Sequence, residues 1–257
     1  MVKPIPIQGF PALLIGGRKS TLCIADLHIG YEMELSESGF NIPDQTGAML
    51  DTLIQINEGD NLVILGDLKH SIPIARAGES IRISRFLRTL ADRFSEVTMI
   101  AGNHDGAVER LLPENVQFIP SGGACISSIG MAHGHSWPSE DVMNAKTLVW
   151  GHLHPCVRMY DRLGAVVSLK CWLKGPVHPE TLSERYEAVL TEESIIIPSF
   201  NHLLTGTPVN EKKTSILSPL MRSGFVMMRD QCGYTLGGVN LGLVSRLPKK
   251  RLKGRVR

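Results

Sequence analysis

Short apolar runs, each ending in a polar cluster, punctuate the first two-thirds of the chain. Residues 21–25 run into Asp26-Leu-His28, residues 61–65 into Gly66-Asp67, and residues 96–101 into Gly102-Asn-His-Asp105. Residues 126–132 then run into His133-Gly-His135, and residues 147–150 into Gly151-His-Leu-His154. Runs of this length, rich in β-branched residues and stopped by turn formers, predict buried strands. Helical periodicity lies between them. Residues 43–56 carry Met49, Leu50, Leu53, Ile54 and Ile56. Residues 79–94 carry Ile81, Ile83, Phe86, Leu87, Leu90 and Phe94, with Arg82, Arg85 and Arg88 mostly on the other, solvated face. The first three strands are therefore joined by βα crossovers, which predicts a layered α/β fold. From Val116 to about Ser168 strands follow one another with little helix, so a second, more antiparallel sheet is expected against the first. Residues 186–198 are expected to add another strand.

Composition changes this picture little. A chain of 257 residues, 43% hydrophobic and 20% charged, suits a soluble globular protein. We expect one domain over residues 1–245 and a basic, disordered tail over 246–257. Residues 247–257 carry six of the 27 Lys and Arg and no acid. That run reads as a solubilising tail or as an electrostatic arm for nucleic acid. Five cysteines without a CxxC pair make a poor disulfide framework and a poor structural zinc site. Cys23 and Cys125 are expected to be buried. No stretch of 18 apolar residues and no signal-like N-terminus occur, so a cytoplasmic protein making no membrane contact is expected.

The chemistry concentrates at the strand ends. Seven of the nine histidines (His28, His70, His104, His133, His135, His152, His154) fall at or just after those ends. In an open α/β sheet the strand ends line one edge, where ligands bind. Imidazoles mixed with carboxylate and amide oxygens suit a borderline-to-hard divalent ion. Seven candidate ligands, Asp26, His28, Asp67, Asn103, His133, His152 and His154, exceed the needs of one tetrahedral ion, so two ions are expected. Asp26-x-His28 on an extended segment would place both side chains on one side. His152-x-His154 would do likewise, or a turn there would send its imidazoles to neighbouring ions. Asp67 can bridge. Lys69 is expected to be exposed, His178 and His202 to be surface or capping residues, and Trp137 and Trp172 to pack in the core or at its rim.

D-x-H, G-D, G-N-H-D, H and G-H-x-H, in this order and each after an apolar strand, resemble the calcineurin-like metallophosphoesterase superfamily. The resemblance spans Asp26 to His154, about half the chain. It implies an α/β (α+β) four-layer αββα sandwich of two mixed β-sheets flanked by helices. It also implies that Asp26, His28 and His154 hold one ion, that Asn103, His133 and His152 hold a second, and that Asp67 bridges them. Manganese is the expected metal, with iron, zinc, cobalt or nickel as alternatives. His104 and Asp105 would be catalytic, Asp105 orienting the His104 ring, while His70 and His135 would touch substrate or support the ligands. Where the family usually has G-D-x-x-D, this chain has Gly66-Asp-Leu-Lys-His70. With Ile195-Ile-Ile-Pro-Ser-Phe-Asn201, that block resembles the small archaeal-type branch related to DNA-ligase-associated metallophosphoesterases. The implied activity is phosphodiester hydrolysis by a hydroxide shared between two ions, on nucleic acid or nucleotides in DNA repair. A repair helicase or ligase would be its partner. The alternatives are a phosphomonoesterase acting on a small molecule and a non-catalytic scaffold.

Overall fold

The computed structural model describes residues 3–160, 165–211 and 218–248. Its first half runs β1 (Pro4–Pro6), β2 (Leu13–Ile15), β3 (Thr21–Ile24), α1 (Tyr31–Glu37), α2 (Thr46–Ile56), β4 (Asn61–Leu65), α3 (Ala77–Arg93), β5 (Glu96–Ile100) and β6 (Val116–Ile119). The six strands form one sheet in sequence order. β1 to β3 are antiparallel, and β3 to β6 are parallel, as the helical crossovers require.

The second half runs β7 (Ala124–Ile126), β8 (Ile129–Ala132), α4 (Glu140–Met143), β9 (Thr147–Trp150), β10 (Pro155–Tyr160), β11 (Val166–Pro176), β12 (Glu193–Ile196), β13 (Thr207–Pro208), α5 (Pro219–Arg222), β14 (Cys232–Thr235) and β15 (Asn240–Leu243). These strands make a nine-stranded mixed sheet in which β8, β9 and β12 run parallel. The expected continuous strand over 126–132 is a hairpin instead. Ser127 and Ser128 both take positive φ, the conformation a two-residue hairpin turn needs, and two serines give little sign of that in the sequence.

Strand alternation builds three cores. In β3 and β4, Leu22, Ile24, Leu62 and Ile64 face Met49 and Leu53 of α2 and Phe86, Leu87 and Leu90 of α3. Their neighbours Cys23, Val63 and Leu65 face the second sheet, meeting Met131, Val149, Trp172 and Ile195. On the far side of that sheet, Leu148, Trp150 and Leu173 pack under Val142, Met143, Leu220 and Phe225, so short helices and turns form the fourth layer. A period-2 pattern buried on both faces is what a sheet between two layers demands. The architecture is thus two mixed sheets flanked by helices. No helix among the described residues is long and apolar enough to cross a membrane.

Three expectations fail on local grounds. Lys69 is fully buried, because its ammonium donates to the carbonyls of Ser71 and Pro73. Cys125 is exposed, since β7 is the edge strand of its sheet. Arg82 is not merely solvated: it pairs with buried Glu32 and, at 3.4 Å, with Asp44, tying α3 to α1 and to the residues before α2. Of the expected basic tail, residues 249–257 lie outside the described residues. Leu247 is buried in the outer core, and the Pro248 carbonyl accepts from Asn210 Nδ2 at 2.7 Å.

Candidate metal centre

Five of the seven candidate ligands lie in the left-handed backbone region: Asp26 (φ 59°), His28 (42°), Asp67 (51°), His152 (63°) and His154 (47°). That region is sparsely populated by non-glycine residues, and such strain gathers at functional sites. Asp26 and His28 therefore do not converge through the side-to-side alternation of an extended segment. Each strand instead kinks as it leaves the sheet, and the pairing of β3 with β4 resumes beyond the kinks at the Ile29–Lys69 bridge.

Around the kinks three groups of side chains bring ligand atoms within 4.8 Å of one another; one is His28, His70 and His104, and the other two share Asp67. Asp26, His28, Asp67 and His154 offer ligand atoms within 4.8 Å of one another, and so do Asp67, His133 and His152; Asp67 belongs to both. His154 Nε2 lies 3.1 Å from Asp26 Oδ1. His28 Nε2 and His133 Nε2 lie 3.4 and 3.3 Å from Asp67 Oδ2. His152 and His154 thus sit in different groups, the outcome a turn between them allows. Asn103 is exposed beside them, between Gly102, whose N–H donates to Asp105, and His104, whose N–H donates to Asp67 Oδ1 at 2.9 Å.

The residues fit divalent ions on three counts. His28 Nε2, His133 Nε2 and His154 Nε2 are buried, face carboxylate oxygens and hydrogen-bond to nothing, a costly state unless a cation takes their lone pairs. His133 Nδ1 is bonded to the Leu65 carbonyl at 2.8 Å, which leaves Nε2 free to ligate. The motif glycines also clear the space. A Cβ on Gly102 would stand 2.2 Å from Asp67 Oδ1, and one on Gly66 (φ 74°) would stand 2.4 Å from the His133 ring.

The electrostatics follow from burial and crowding. Burial opposes ionisation of Asp67, but His133 and His28 outweigh it and hold the carboxyl well below the usual range. Asp26 is lowered in the same way, His154 and His133 outweighing its burial. Burial also works against a His133 cation, yet Asp67 and Asp26 raise its pKa to about 9. Burial, with His133 nearby, pushes His152 down to about 3 and His135 down to about 4.

Asp105 does not orient the His104 ring as expected. Its carboxylate accepts the amides of Asp67 (2.7 Å), Leu68 (3.0 Å), Lys69 (3.3 Å) and Gly102 (2.7 Å), lashing the turn after β4 to the turn after β5. Burial and the Asp67 charge raise its pKa to about 6. The His104 ring is held by the His70 carbonyl, 2.6 Å from Nδ1. His70 in turn places Nε2 2.7 Å from Glu34 Oε2 and Nδ1 3.4 Å from His28 Nδ1. The His135 ring centroid lies 5.2 Å from that of His133 and 6.0 Å from that of His152.

Other singled-out residues stay away from these groups. His178 precedes a 3-10 turn and pairs with Asp230, His202 is exposed, Trp172 is core, and Trp137 lies under the Arg185 guanidinium at 4.1 Å. Four further residues were missed. Glu79, fully buried, accepts the amides of His70, Ser71 and Arg76. Glu34 lies on a helix too short to show periodicity. Lys170 donates to the carbonyls of Ser199 and Asn201, and buried Asn201 donates to the Leu27 carbonyl at 2.7 Å. Asn201 ends the stretch quoted above for its resemblance, which was its only signal.

A family model described as calcineurin-like phosphoesterase matches residues 19–149. The chain belongs to that family. Membership implies a metal-dependent phosphoric ester hydrolase. The matched segment stops before Gly151, so His152 and His154 join the centre on the geometry above. Among solved structures the fold is similar to that of the nuclease MPE of Pseudomonas putida: 18% identity, TM-score 0.50, 92% of this chain and 98% of that one. The phosphoesterase YfcE from E. coli overlaps 55% of this chain and 73% of its own, at 19% identity and TM-score 0.34. No curated protein matches the sequence.

Two outcomes are expected. Gly102→Ala drives a Cβ to 2.2 Å from Asp67 Oδ1 and 2.3 Å from the Asp67 backbone nitrogen, so metal stoichiometry, read by elemental analysis, falls and stability drops by at least about 1–3 kcal/mol. Because Asp67 and Asp26 raise the pKa of His133 to about 9, loading a divalent ion onto Asp67, His133 and His152 competes with a proton there. Titrating Mn²⁺ into metal-free protein at pH 7 in weak buffer releases about one proton from this group, and apparent affinity climbs as pH rises towards 9.

Proposed function

We propose that the chain is a binuclear metal-dependent phosphodiesterase, with Asp26, His28 and His154 on one ion, Asn103, His133 and His152 on the other, and Asp67 on both. The observation that carries this reading is the pair of ligand groups sharing Asp67. When bound, such ions make a water nucleophilic near neutral pH and neutralise phosphoryl oxygens. Manganese fits the mixed imidazole and carboxylate set.

The chain's own residues supply the rest. His104, its Nδ1 hydrogen-bonded to the His70 carbonyl, keeps Nε2 for the substrate; protonated there, it donates to the departing oxygen. Asp105 acts by holding the turns that carry Asp67 and Asn103. His135, beside His133 and His152, is kept neutral and supports the second ligand group or touches a phosphoryl oxygen.

Charge favours a diester over a monoester. A monoester is a dianion and asks for a further cation. Lys69 and Lys170, close enough to feel the Asp67 and Asp26 charges, already donate to backbone carbonyls. The narrower resemblance to DNA-ligase-associated enzymes and the nuclease name of the Pseudomonas putida structure agree with a nucleic-acid or nucleotide diester. A DNA-repair setting, a helicase or ligase partner and a nucleic-acid-binding role for the basic tail belong to that same reading.

With Mn²⁺ added, bis-p-nitrophenyl phosphate is expected to be hydrolysed faster than p-nitrophenyl phosphate. The reverse order would favour the phosphomonoesterase reading, and inactivity on both without bound metal would favour a scaffold. Asp67→Ala is expected to lose both metals. His104→Ala should keep them and lose about 10²–10⁴-fold in kcat; full turnover in a metal-loaded His104→Ala protein would remove its assigned role.

A further inference from the structure

The segment from His70 to Arg76 is tied down far more tightly than a surface loop requires. Buried Glu79 accepts the amides of His70 (2.7 Å), Ser71 (3.0 Å) and Arg76 (3.1 Å). Buried Lys69 donates to the carbonyls of Ser71 and Pro73 from the other side. Two buried charges of opposite sign thus fix one loop through five backbone groups. Yet this loop displays two large apolar side chains to solvent, Ile72 at 60% and Ile74 at 66% exposure. A single exposed isoleucine needs no explanation. What distinguishes these two is that they share a cavity of about 330 Å³ with His104, His70, Glu34 and Arg76.

His104 lines that cavity, and its ring centroid lies 4.6 Å from that of His28 in the metal centre. Its volume is near the lower end for ligand pockets, roughly 300–1,000 Å³. Its polar wall is poor in available positive charge. Arg76 is paired with Glu37, and Glu34 reaches His70 while still 57% exposed. A group entering here meets apolar surface, an imidazole and a carboxylate.

We infer that this cavity receives the leaving group of the substrate, and that Ile72 and Ile74 select an uncharged ring-bearing one, an aryl alcohol or a nucleoside, while Glu34 disfavours one bearing further negative charge. The inference rests on the phosphodiesterase reading, because His104 must face the departing oxygen, and it narrows that reading from nucleic acid to a nucleotide diester whose leaving side carries no further phosphate. The rigid loop then serves two ends: its His70 carbonyl aims the His104 ring, and its isoleucines hold the group that His104 protonates.

The test compares three diesters of thymidine 5′-phosphate that differ only in the leaving alcohol: phenol, 2,2,2-trifluoroethanol and phenol-4-sulfonate. Ratios of variant to wild type cancel their different intrinsic reactivities. For I72S/I74S with unchanged metal content and melting temperature, kcat/KM should fall about 10-fold or more on the phenyl ester and stay within about twofold on the trifluoroethyl ester. Glu34→Gln should raise the sulfonate ester relative to the phenyl ester several-fold. Equal losses on the phenyl and trifluoroethyl esters, or none on either, would overturn the subsite. Calorimetric binding of the same esters separates the two failures. If wild type binds the phenyl ester more tightly than the double variant but hydrolyses none of the three, the subsite stands and the phosphodiesterase reading falls. Equal binding by both proteins overturns the subsite.

Discussion

Everything near the centre depends on one buried carboxylate, Asp67. It is 2% exposed, takes a left-handed backbone, and has two buried imidazole nitrogens aimed at one of its oxygens. Left to itself that arrangement is expensive, because an ionised carboxylate out of water needs compensating charge. The Asp67 and Asp26 charges raise the pKa of His133, favouring its cation beside them. A divalent ion would supply that charge more completely, satisfying the orphaned nitrogens of His28, His133 and His154 together. The same constraint explains the glycines before Asp67 and Asn103, where a side-chain carbon would collide with the carboxylate or with His133.

Holding Asp67 requires a second tier of buried polar groups, and these act on backbone rather than on substrate. Asp105 gathers four amides from the turns after β4 and β5. Glu79 and Lys69 gather amides and carbonyls of the following loop. Losing either carboxylate leaves several buried N–H groups without acceptors, at about 1–3 kcal/mol each. The left-handed residues are thus over-determined by their surroundings, the condition under which backbone strain persists in a folded protein. Rigidity in the second tier becomes positional accuracy in the first.

The strands feeding the centre were legible because each is a continuous apolar run cut short by glycine or a charged residue. The helical faces of α2 and α3 were legible because seven of their buried residues, Met49, Leu53, Ile56, Ile83, Phe86, Leu87 and Leu90, recur at helical spacing. The ordered motif blocks located the candidate ligands, and the structure brings Asp26, His28, Asp67, His133, His152 and His154 together. What stayed hidden was tertiary. Nothing local tells that Lys69 turns inward to two carbonyls, or that Asp105 serves four amides rather than its neighbour His104. Cys125 sits in an apolar stretch but lands on an edge strand. β1, β2 and the β14–β15 hairpin are three or four residues long, too short for any periodicity to register.

Where the cations point separates the chemistry of the site from its substrate preference. Lys69 and Lys170 are drawn into the fold by carbonyl oxygens, and burial lowers both, Lys170 to about 8. Arg76 and Arg82, at the edges of the same region, are paired with Glu37 and Glu32. On the reading proposed above, positive charge for a phosphoryl group would come from ions held by the ligand groups, while the cavity beside His104 offers isoleucine and carboxylate instead. On that reading the site stabilises charge at one phosphorus atom and gives little to a second phosphate on the leaving side. In energetic terms that is selectivity by desolvation and repulsion around an attractive centre, which discriminates among substrates without tightening the binding of all of them.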